Sequence, residues 1–315
     1  MYKDLKVAVV IPCFRVKNQL PNVIDAVPSW VDLICLVDDA CPESSVEHTL
    51  SQTTDSRVVP IYLQKNGGVG KAVKAGYTYC LDCDIDLIAR VDGDGQMDLS
   101  FLSSLLDPIA SNKADYSKGN RFFNVEDISK MPKRRILGNL GLSFMSKFST
   151  GYWDVFDPNN GFNAITKEAL RKLPFEKIDN RYFFESDLLF RLGLNRAKIT
   201  DVPMPSIYEN ETSNLSITKS LFEFSYKHTR NYWKRIFYTY FLRDFNFGSL
   251  QFLGGFCLMT FGTWVALTSW IHGMRSGIQT QVGTQILVAM TILSGIQFTL
   301  GFFSYDINRQ NSQKD

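Results

Sequence analysis

Residues 86–98 read DLIARVDGDGQMD, an apolar run that leads into three alternating oxygen-bearing residues, Asp92, Asp94 and Gln96. A short apolar run bounded by glycine is typical of a buried strand. Alternate side chains of an extended segment point to the same side, so the three oxygen groups should converge at the end of the strand. Hard cations such as Mg²⁺ and Mn²⁺ prefer such ligands and leave room for phosphate oxygens. The stretch therefore predicts a divalent-metal site.

A stretch of this kind has two other interpretations. A calcium loop of the EF-hand type is excluded, because its sixth position is Met97 where glycine is needed, and its twelfth is Ser103 where glutamate is needed. A plain turn with chance acidic residues stays open as the alternative.

The first 205 residues alternate between apolar runs and helical stretches, which predicts an open α/β sheet with its ligands at the carboxyl ends of the strands. The runs are rich in β-branched residues or nearly continuously apolar, as in buried parallel strands. The strand candidates are KVAVVIP (6–12), DLICLVDD (32–39), VVPIYLQ (58–64), DLIARVD (86–92), ADYSKGN (114–120) and ITDVPM (199–204). Helices are predicted, among others, over Gly70–Leu81, Phe101–Ala110 and Arg181–Leu194.

Two further motifs follow predicted strands. In LVDDACP (36–42), Asp38 and Asp39 can accept hydrogen bonds from ribose hydroxyls or a base. KNGGVGKAVKAGY (65–77) is not a Walker loop, because Lys65 stands where the first glycine belongs and Ala72 where Ser or Thr should be. It is either a helix N-terminus that faces an anion or only a tight turn.

Polar groups downstream form a fourth constellation. Arginine suits phosphate because its planar fork binds two oxygens at once, although a surface salt bridge is an equally simple explanation for each arginine. The residues are Arg121 in KGNRF, Arg134 and Arg135 in PKRRILGN, Asp157 in DPNNGF, and Glu185 and Asp187 in RYFFESD.

Composition excludes several classes of protein. With 34 Lys and Arg against 32 Asp and Glu, the formal net charge is +2, so no nucleic-acid partner is expected. A chain with 45% hydrophobic and 21% charged residues is not disordered. Of six cysteines only Cys80 and Cys83 lie close together, which is too few for a zinc site.

The C-terminal part is almost free of charge. Residues 245–274 and 276–305 each form a charge-free stretch, and about 20 apolar residues span a bilayer core. We expect two transmembrane helices within 245–305, at about 247–271 and 282–304, followed by a polar tail at 306–315; two buried helices of a soluble protein are the alternative. Gly248, Gly255 and Gly262 repeat every seven residues and should lie where membrane helices pack closely.

Residues 216–244 predict a juxtamembrane segment between a catalytic domain at 1–215 and the spans. Nine of the 25 residues at 219–243 are aromatic. Helical spacing puts a basic set and an aromatic set on different faces, which favours a helix in the lipid headgroup layer over an ordinary core helix. The basic set is Lys227, Arg230 and Lys234, and the aromatic set is Phe222, Tyr226, Trp233, Phe237 and Tyr240.

The same segment predicts the orientation of the chain. Basic residues before the first span mark the cytoplasmic side, and the N-terminus does not resemble a signal peptide. We therefore expect a multi-pass protein of the inner or plasma membrane, with the catalytic domain and both termini in the cytoplasm.

In their order, VVIPCF, LVDDA, NGGVGKA, VDGDGQ, KGNRF, DPNNGF and FFESD resemble the inverting family 2 glycosyltransferases of the GT-A fold. Among these, the chain is similar to the polyprenyl-phosphate glycosyltransferases, which include dolichol-phosphate mannosyltransferases and bacterial glucosyltransferases with a two-helix membrane hairpin. The resemblance implies an open, mostly parallel sheet flanked by helices, followed by amphipathic helices and a transmembrane hairpin.

The resemblance also implies roles for particular residues. Asp92, Asp94 and Gln96 would hold Mg²⁺ or Mn²⁺ on the donor diphosphate. Pro12, Asp38 and Asp39 would frame the nucleoside. Arg121 and Arg135 would hold the lipid phosphate, and Asp157 would act as a base or orient the acceptor. The segment CPESS after VDDA departs from the usual Gly-Ser-rich run, which affects the expected nucleoside pocket.

The function expected from these features is transfer of a sugar from a nucleotide-sugar, with UDP-sugars favoured, to a polyprenyl phosphate for a cell-envelope polysaccharide. A homo-oligomer and a downstream flippase are plausible partners. The alternatives are a transferase that acts on a glycan or lipid-linked hydroxyl, and a non-catalytic nucleotide-sugar-binding subunit of a glycan export complex.

Overall fold

The structure, a computed structural model, describes residues 1–123, 133–205 and 217–311. Seven strands form one sheet in the order β3-β2-β1-β4-β6-β5-β7. The strands are β1 Val7–Cys13, β2 Leu33–Asp38, β3 Val58–Tyr62, β4 Leu87–Arg90, β5 Tyr116–Asn120, β6 Asn163–Thr166 and β7 Ile199–Pro203. All neighbouring pairs are parallel except those of β6, which runs antiparallel to β4 and β5. The predicted open, mostly parallel sheet is confirmed.

Helices connect and flank these strands. Those before the C-terminal hairpin are α1 Leu20–Asp25, α2 Ser45–Leu50, α3 Val69–Asp82, α4 Leu102–Ala110, α5 Lys133–Thr150, α6 Lys167–Arg171, α7 Phe184–Leu194 and α8 Ile217–Phe237. Short 3₁₀ turns occupy Leu99–Phe101 and Phe175–Lys177. Each of the three helices predicted by range is present, although α7 begins three residues later than expected.

The sheet is buried on both faces, which explains its nearly continuous apolar strands. Alternate residues of β1 enter two separate apolar layers: Val7, Val9 and Ile11 pack in one layer, and Ala8 and Val10 in the other. Residues of α1 and α4 lie in the first layer, and those of α3 and α7 in the second. Helices therefore cover both sides, and the carboxyl ends of the parallel strands are left for a site.

The chain divides into two compact units, Met1–Tyr232 and Trp233–Asp315, and the boundary falls within α8. In the first unit, α8 packs one face against the sheet domain and exposes another. Phe224, His228 and Asn231 are buried, whereas Phe222 and Tyr226 are 81% and 70% exposed. One face of α8 is therefore packed in the core of the sheet domain, and another face carries exposed aromatic residues.

The second unit contains a π-helical turn at Tyr238–Leu242 and two long helices, α9 Phe247–Ser276 and α10 Val282–Asn311. Both helices are long and apolar enough to cross a membrane, and most of each is exposed. Asn246 caps α9 with a reciprocal side-chain and backbone capping box, and Gly277 ends it in the left-handed region.

Small residues bring α9 and α10 together. A Cβ added at Gly255 would lie 2.7 Å from Thr299 Oγ1 and 3.3 Å from the carbonyl oxygen of Gly295. At Gly262 it would lie 2.8 Å from Ile292 Cγ1. The glycine repeat read from the sequence therefore faces the second long helix, at spacings that admit no side chain.

A buried polar cluster lies within the second unit. Both amino groups of the Arg235 guanidinium donate to the Asp306 carboxylate, at 2.7 and 2.9 Å, and the Tyr240 hydroxyl donates to the same carboxylate at 2.6 Å. Tyr240, which was predicted on the exposed aromatic face, is therefore buried, because its hydroxyl satisfies this acid.

Candidate functional site

A cavity of about 910 Å³ opens where β1, β2 and β4 end. Its wall includes Pro12 from β1, Asp39 directly after β2, and Asp92 and Asp94 after β4. The parallel pairing of these strands brings their carboxyl ends to one edge, so acids distant in sequence meet there. Glu185, at the start of α7, lines the same cavity.

A buried arginine organises the acidic side of the cavity. Arg90 ends β4, is 2% exposed, and donates to Asp92 Oδ1 from Nη2 at 2.9 Å and from Nε at 3.1 Å. Its other terminal nitrogen donates to Glu185 Oε1. Burial alone would lower the pKa of Arg90, but the adjacent charges of Asp92 and Glu185 raise it above its usual value. Burial raises the pKa of Glu185, and Arg90 opposes that rise. Arg90 therefore fixes the position of Asp92.

The two aspartates fit a divalent cation that is shared with substrate phosphates. Asp92 is tied to Arg90 through Oδ1, and a Cβ on Gly161 would lie 2.5 Å from its other oxygen, so the glycine leaves that oxygen uncovered. Asp94 Oδ1 accepts from the backbone N–H of Gln96 at 3.1 Å. Within the described ranges, no three carboxylate, histidine or cysteine side chains form a ready cage. Mg²⁺ is commonly held in this way, by one or two carboxylates plus phosphate oxygens.

The third predicted metal ligand, Gln96, is not among the residues of the described cavity wall, but its backbone N–H donates to Asp94 Oδ1. Its role as a ligand stays a prediction.

The backbone of the glycine-rich loop binds the carboxylate of Asp39. The backbone N–H groups of Gly67 and Gly68 donate to the two carboxylate oxygens of Asp39, at 2.7 and 2.8 Å. Asp39 is therefore oriented on the cavity wall by the loop that precedes α3. Asp38 points elsewhere: its carboxylate accepts from the N–H of Cys41 at 2.8 Å, and it is absent from the described cavity wall. Burial raises the pKa of Asp38.

Arg121 and Asp157 form a two-pronged ion pair. Arg121 Nε and Nη2 donate to the carboxylate at 2.7 and 2.9 Å, and Asp157 is only 2% exposed. Burial would raise the pKa of Asp157, but the charge and hydrogen bonds of Arg121, with the charge of Lys118, hold it below its usual value. Neither residue of the pair is in the described cavity wall. Arg135 lies in the first turn of α5, and its side chain lies outside the described residues, as does that of Arg134.

Some cavity residues were not singled out from the sequence. Arg90 interrupts the apolar run of β4, and a charge in a buried strand signals a buried partner. Arg15, Arg181 and Tyr182 also line the cavity, but nothing in their local pattern distinguishes them from surface residues.

A mostly parallel sheet with paired aspartates after a central strand is the arrangement of GT-A glycosyltransferases, and solved structures of that fold resemble this chain. Glucosyl-3-phosphoglycerate synthase from Mycobacterium tuberculosis, solved with Mn²⁺, UDP and glucosyl-3-phosphoglycerate, gives a TM-score of 0.52 at 18% identity, over 74% of this chain and 80% of that one. The glycosyl transferase family 2 model matches residues 8–174, more than half of the chain. The chain belongs to glycosyl transferase family 2.

Several relatives in sequence are named as enzymes that act on polyprenyl phosphates. The UDP-N-acetylglucosamine–dolichyl-phosphate N-acetylglucosaminyltransferase of Methanococcus voltae is 26% identical over 65% of this chain and 87% of its own length. The polyprenol monophosphomannose synthase of Mycolicibacterium smegmatis is 26% identical over 62% of this chain and 75% of its own. The undecaprenyl-phosphate mannosyltransferase of Micrococcus luteus is 25% identical over 64% and 83%. The chain is therefore similar to members of the polyprenyl-phosphate group of the family.

Proposed function

We propose that this protein is a membrane-anchored, metal-dependent inverting glycosyltransferase. It transfers a sugar from a nucleotide-sugar, with UDP-sugars favoured, to a polyprenyl phosphate at the cytoplasmic face of the membrane. One observation carries the proposal: a single chain combines a cavity lined by Asp92 and Asp94 with two helices of membrane-spanning length. The names of the relatives in sequence support the substrate classes.

The donor side of the reaction needs charge stabilisation. As the bond from the sugar to the nucleotide breaks, the departing diphosphate gains negative charge, and a divalent ion bound at Asp92 and Asp94 would neutralise it. Arg90 holds Asp92 in place through two hydrogen bonds to Oδ1. Asp39, held by the N–H groups of Gly67 and Gly68, offers acceptor oxygens to ribose hydroxyls.

The acceptor side supports a phosphate rather than a hydroxyl. A phosphate monoester is already an anion near pH 7, so it attacks with little need for a base. The candidate base, Asp157, is buried in its pair with Arg121 and has a lowered pKa, which makes it a weak base. Transfer to a sugar hydroxyl would require a stronger one.

A comparison of two acceptor lipids, one with a phosphate and one with a hydroxyl, tests the proposal. Purified full-length protein in detergent would receive a labelled nucleotide-sugar, Mn²⁺, and either undecaprenyl phosphate or undecaprenol of the same chain length. We expect labelled lipid only with the phosphate, and none after EDTA treatment. Equal transfer to the alcohol would favour the hydroxyl-acceptor alternative. Tight UDP-sugar binding without turnover on either lipid would favour the non-catalytic subunit.

A further inference from the structure

One arginine of the cavity, Arg181, takes part in none of the ion pairs described above. Arg181 lines the cavity with Asp92 and Asp94 and is exposed to solvent. Among the described residues, its guanidinium has no hydrogen bond, ion pair or ring contact. Arg90, by contrast, is bound by Asp92 and Glu185, and Arg121 is bound by Asp157. Arg181 thus remains available for a ligand.

The backbone beneath Arg181 is held at several points. Its N–H donates to Asp179 Oδ1 at 2.8 Å, and Asp179 Oδ2 accepts from Lys227 Nζ at 2.6 Å. The N–H of Asp179 donates to Asp187 Oδ2 at 3.0 Å. A long side chain on an anchored backbone loses less entropy on binding than one on a mobile loop.

Two glycines, Gly68 just before α3 and Gly70 in its first turn, leave room for this segment. A Cβ on Gly68 would lie 2.8 Å from the carbonyl oxygen of Asn180 and 3.0 Å from Arg181 Cγ. A Cβ on Gly70 would lie 2.7 Å from the carbonyl oxygen of Asp179. The N–H of Lys71 also donates to the carbonyl of Asn180 at 3.0 Å. The stem of Arg181 is therefore fixed beside the loop that orients Asp39.

The acidic lining of the cavity favours an additional positive group where a substrate phosphate binds. Acidic side chains from Asp39, Asp92, Asp94 and Glu185 line it, and a phosphate-bearing substrate brings further negative charge. Arg15 also lines the cavity, but its guanidinium lies over the Phe14 ring, 5.4 Å from the centroid. A guanidinium binds two phosphate oxygens with its planar fork, which a single ammonium cannot do.

We infer that Arg181 binds a substrate phosphate group in this cavity, a role that rests on the proposed function. Both substrates carry phosphate: the donor as a diphosphate and the acceptor as a monoester. Asp179 and Lys227 are positioning residues, since they hold the backbone and are not among the residues that line the described cavity.

Two-substrate kinetics on the full-length protein test this role. The variants are Arg181→Ala and Arg181→Lys, and the matched control is Arg171→Ala, an exposed arginine on α6 that does not line the described cavity. One charge-assisted contact predicts a rise of about tenfold to a hundredfold in a single Michaelis constant for Arg181→Ala. Lysine should recover only part of the loss, and Arg171→Ala should behave as wild type.

Direct binding identifies which phosphate is contacted. If the donor diphosphate is bound, Arg181→Ala weakens binding of UDP by a similar factor and leaves uridine unchanged. If the lipid phosphate is bound, UDP binding is unchanged and only the constant for undecaprenyl phosphate rises. Unchanged constants for both substrates, or an equal loss in both with a lowered melting temperature, would overturn the inference.

The two proposals can fail separately. A wild-type protein that transfers no sugar but still binds UDP would count against the proposed function. Arg181 would then be judged by UDP against uridine binding alone, and identical UDP affinity in Arg181→Ala would refute its role.

Discussion

Removal of Arg121 should expose the cost of a buried, unpaired carboxylate. Asp157 is 2% exposed in the wild type, and Arg121→Ala removes its two charge-assisted hydrogen bonds of 2.7 and 2.9 Å. Breaking a buried ion pair by deleting one partner costs about 3–5 kcal/mol. Because the Arg121 side chain is 27% exposed, we expect the lower end, about 3 kcal/mol at pH 7. Arg121→Lys should restore part of this, since an ammonium cannot reproduce the two-pronged geometry.

The assay is thermal unfolding of the full-length protein in detergent, followed by circular dichroism. A change of 3 kcal/mol lowers the melting temperature of a domain this size by roughly 6–12 °C. The control is Lys172→Ala, which removes the exposed pair with Glu168 and should leave the melting temperature nearly unchanged.

The same pair gives a pH signature. Because the folded-state pKa of Asp157 is lowered, its stabilisation is present above the ordinary value near 3.8 and is lost as the pH falls through the folded value. The difference between wild type and Arg121→Ala should therefore shrink in acid. Equal melting temperatures for Arg121→Ala and Lys172→Ala at pH 7, or a difference that grows in acid, would refute the structural role of the pair.

Three further predictions follow from other parts of the molecule. Asp94→Asn should weaken Mn²⁺ binding at least tenfold, read by electron paramagnetic resonance, and abolish turnover without lowering the melting temperature; Mn²⁺ affinity equal to wild type would contradict the metal role. Gly255→Leu should loosen the contact of α9 with α10 and lower the detergent melting temperature, whereas Gly283→Leu, where a Cβ meets nothing within 4 Å, should not; identical curves would contradict the packing. Burial lowers the pKa of His228 to about 4, so the unfolded chain takes up its proton first as the pH falls below about 6.5. Relative to His228→Gln, wild type should lose about 3 kcal/mol of stability between pH 7 and pH 4, and parallel pH profiles would count against this.

Much of the sheet could be predicted because burial on both faces leaves a plain signal. β1, β2 and β4 are short apolar runs, and each was predicted close to its observed range. The strand that was missed, β6, has only four residues, begins with Asn163 and is followed directly by a helix that begins at Lys167. Its place in the sheet depends on antiparallel pairing with β4 and β5, which are distant in sequence and leave no local pattern.

The site was predictable to the extent that its residues cluster in sequence. Asp92 and Asp94 stand together in one motif, so their convergence could be read from the alternation. The partner of Arg90, Glu185, lies 95 residues further along the chain. Likewise, the amphipathic pattern of α8 was visible, but its contacts with the sheet domain, such as Lys227 with Asp179, join residues distant in sequence. The fold brings such residues together, and the spacing of residues within a local stretch of sequence does not reveal them.

Transfer of a sugar to a lipid phosphate is tested most directly by the mass of the lipid product. Purified full-length protein would be incubated with undecaprenyl phosphate, Mn²⁺ and a panel of UDP- and GDP-sugars, and the organic phase analysed by mass spectrometry. We expect one product whose mass is that of the lipid phosphate plus a single sugar residue, formed by wild type and absent with Asp94→Asn. A product that retains two phosphates, or no lipid product with any donor in the panel, would contradict it.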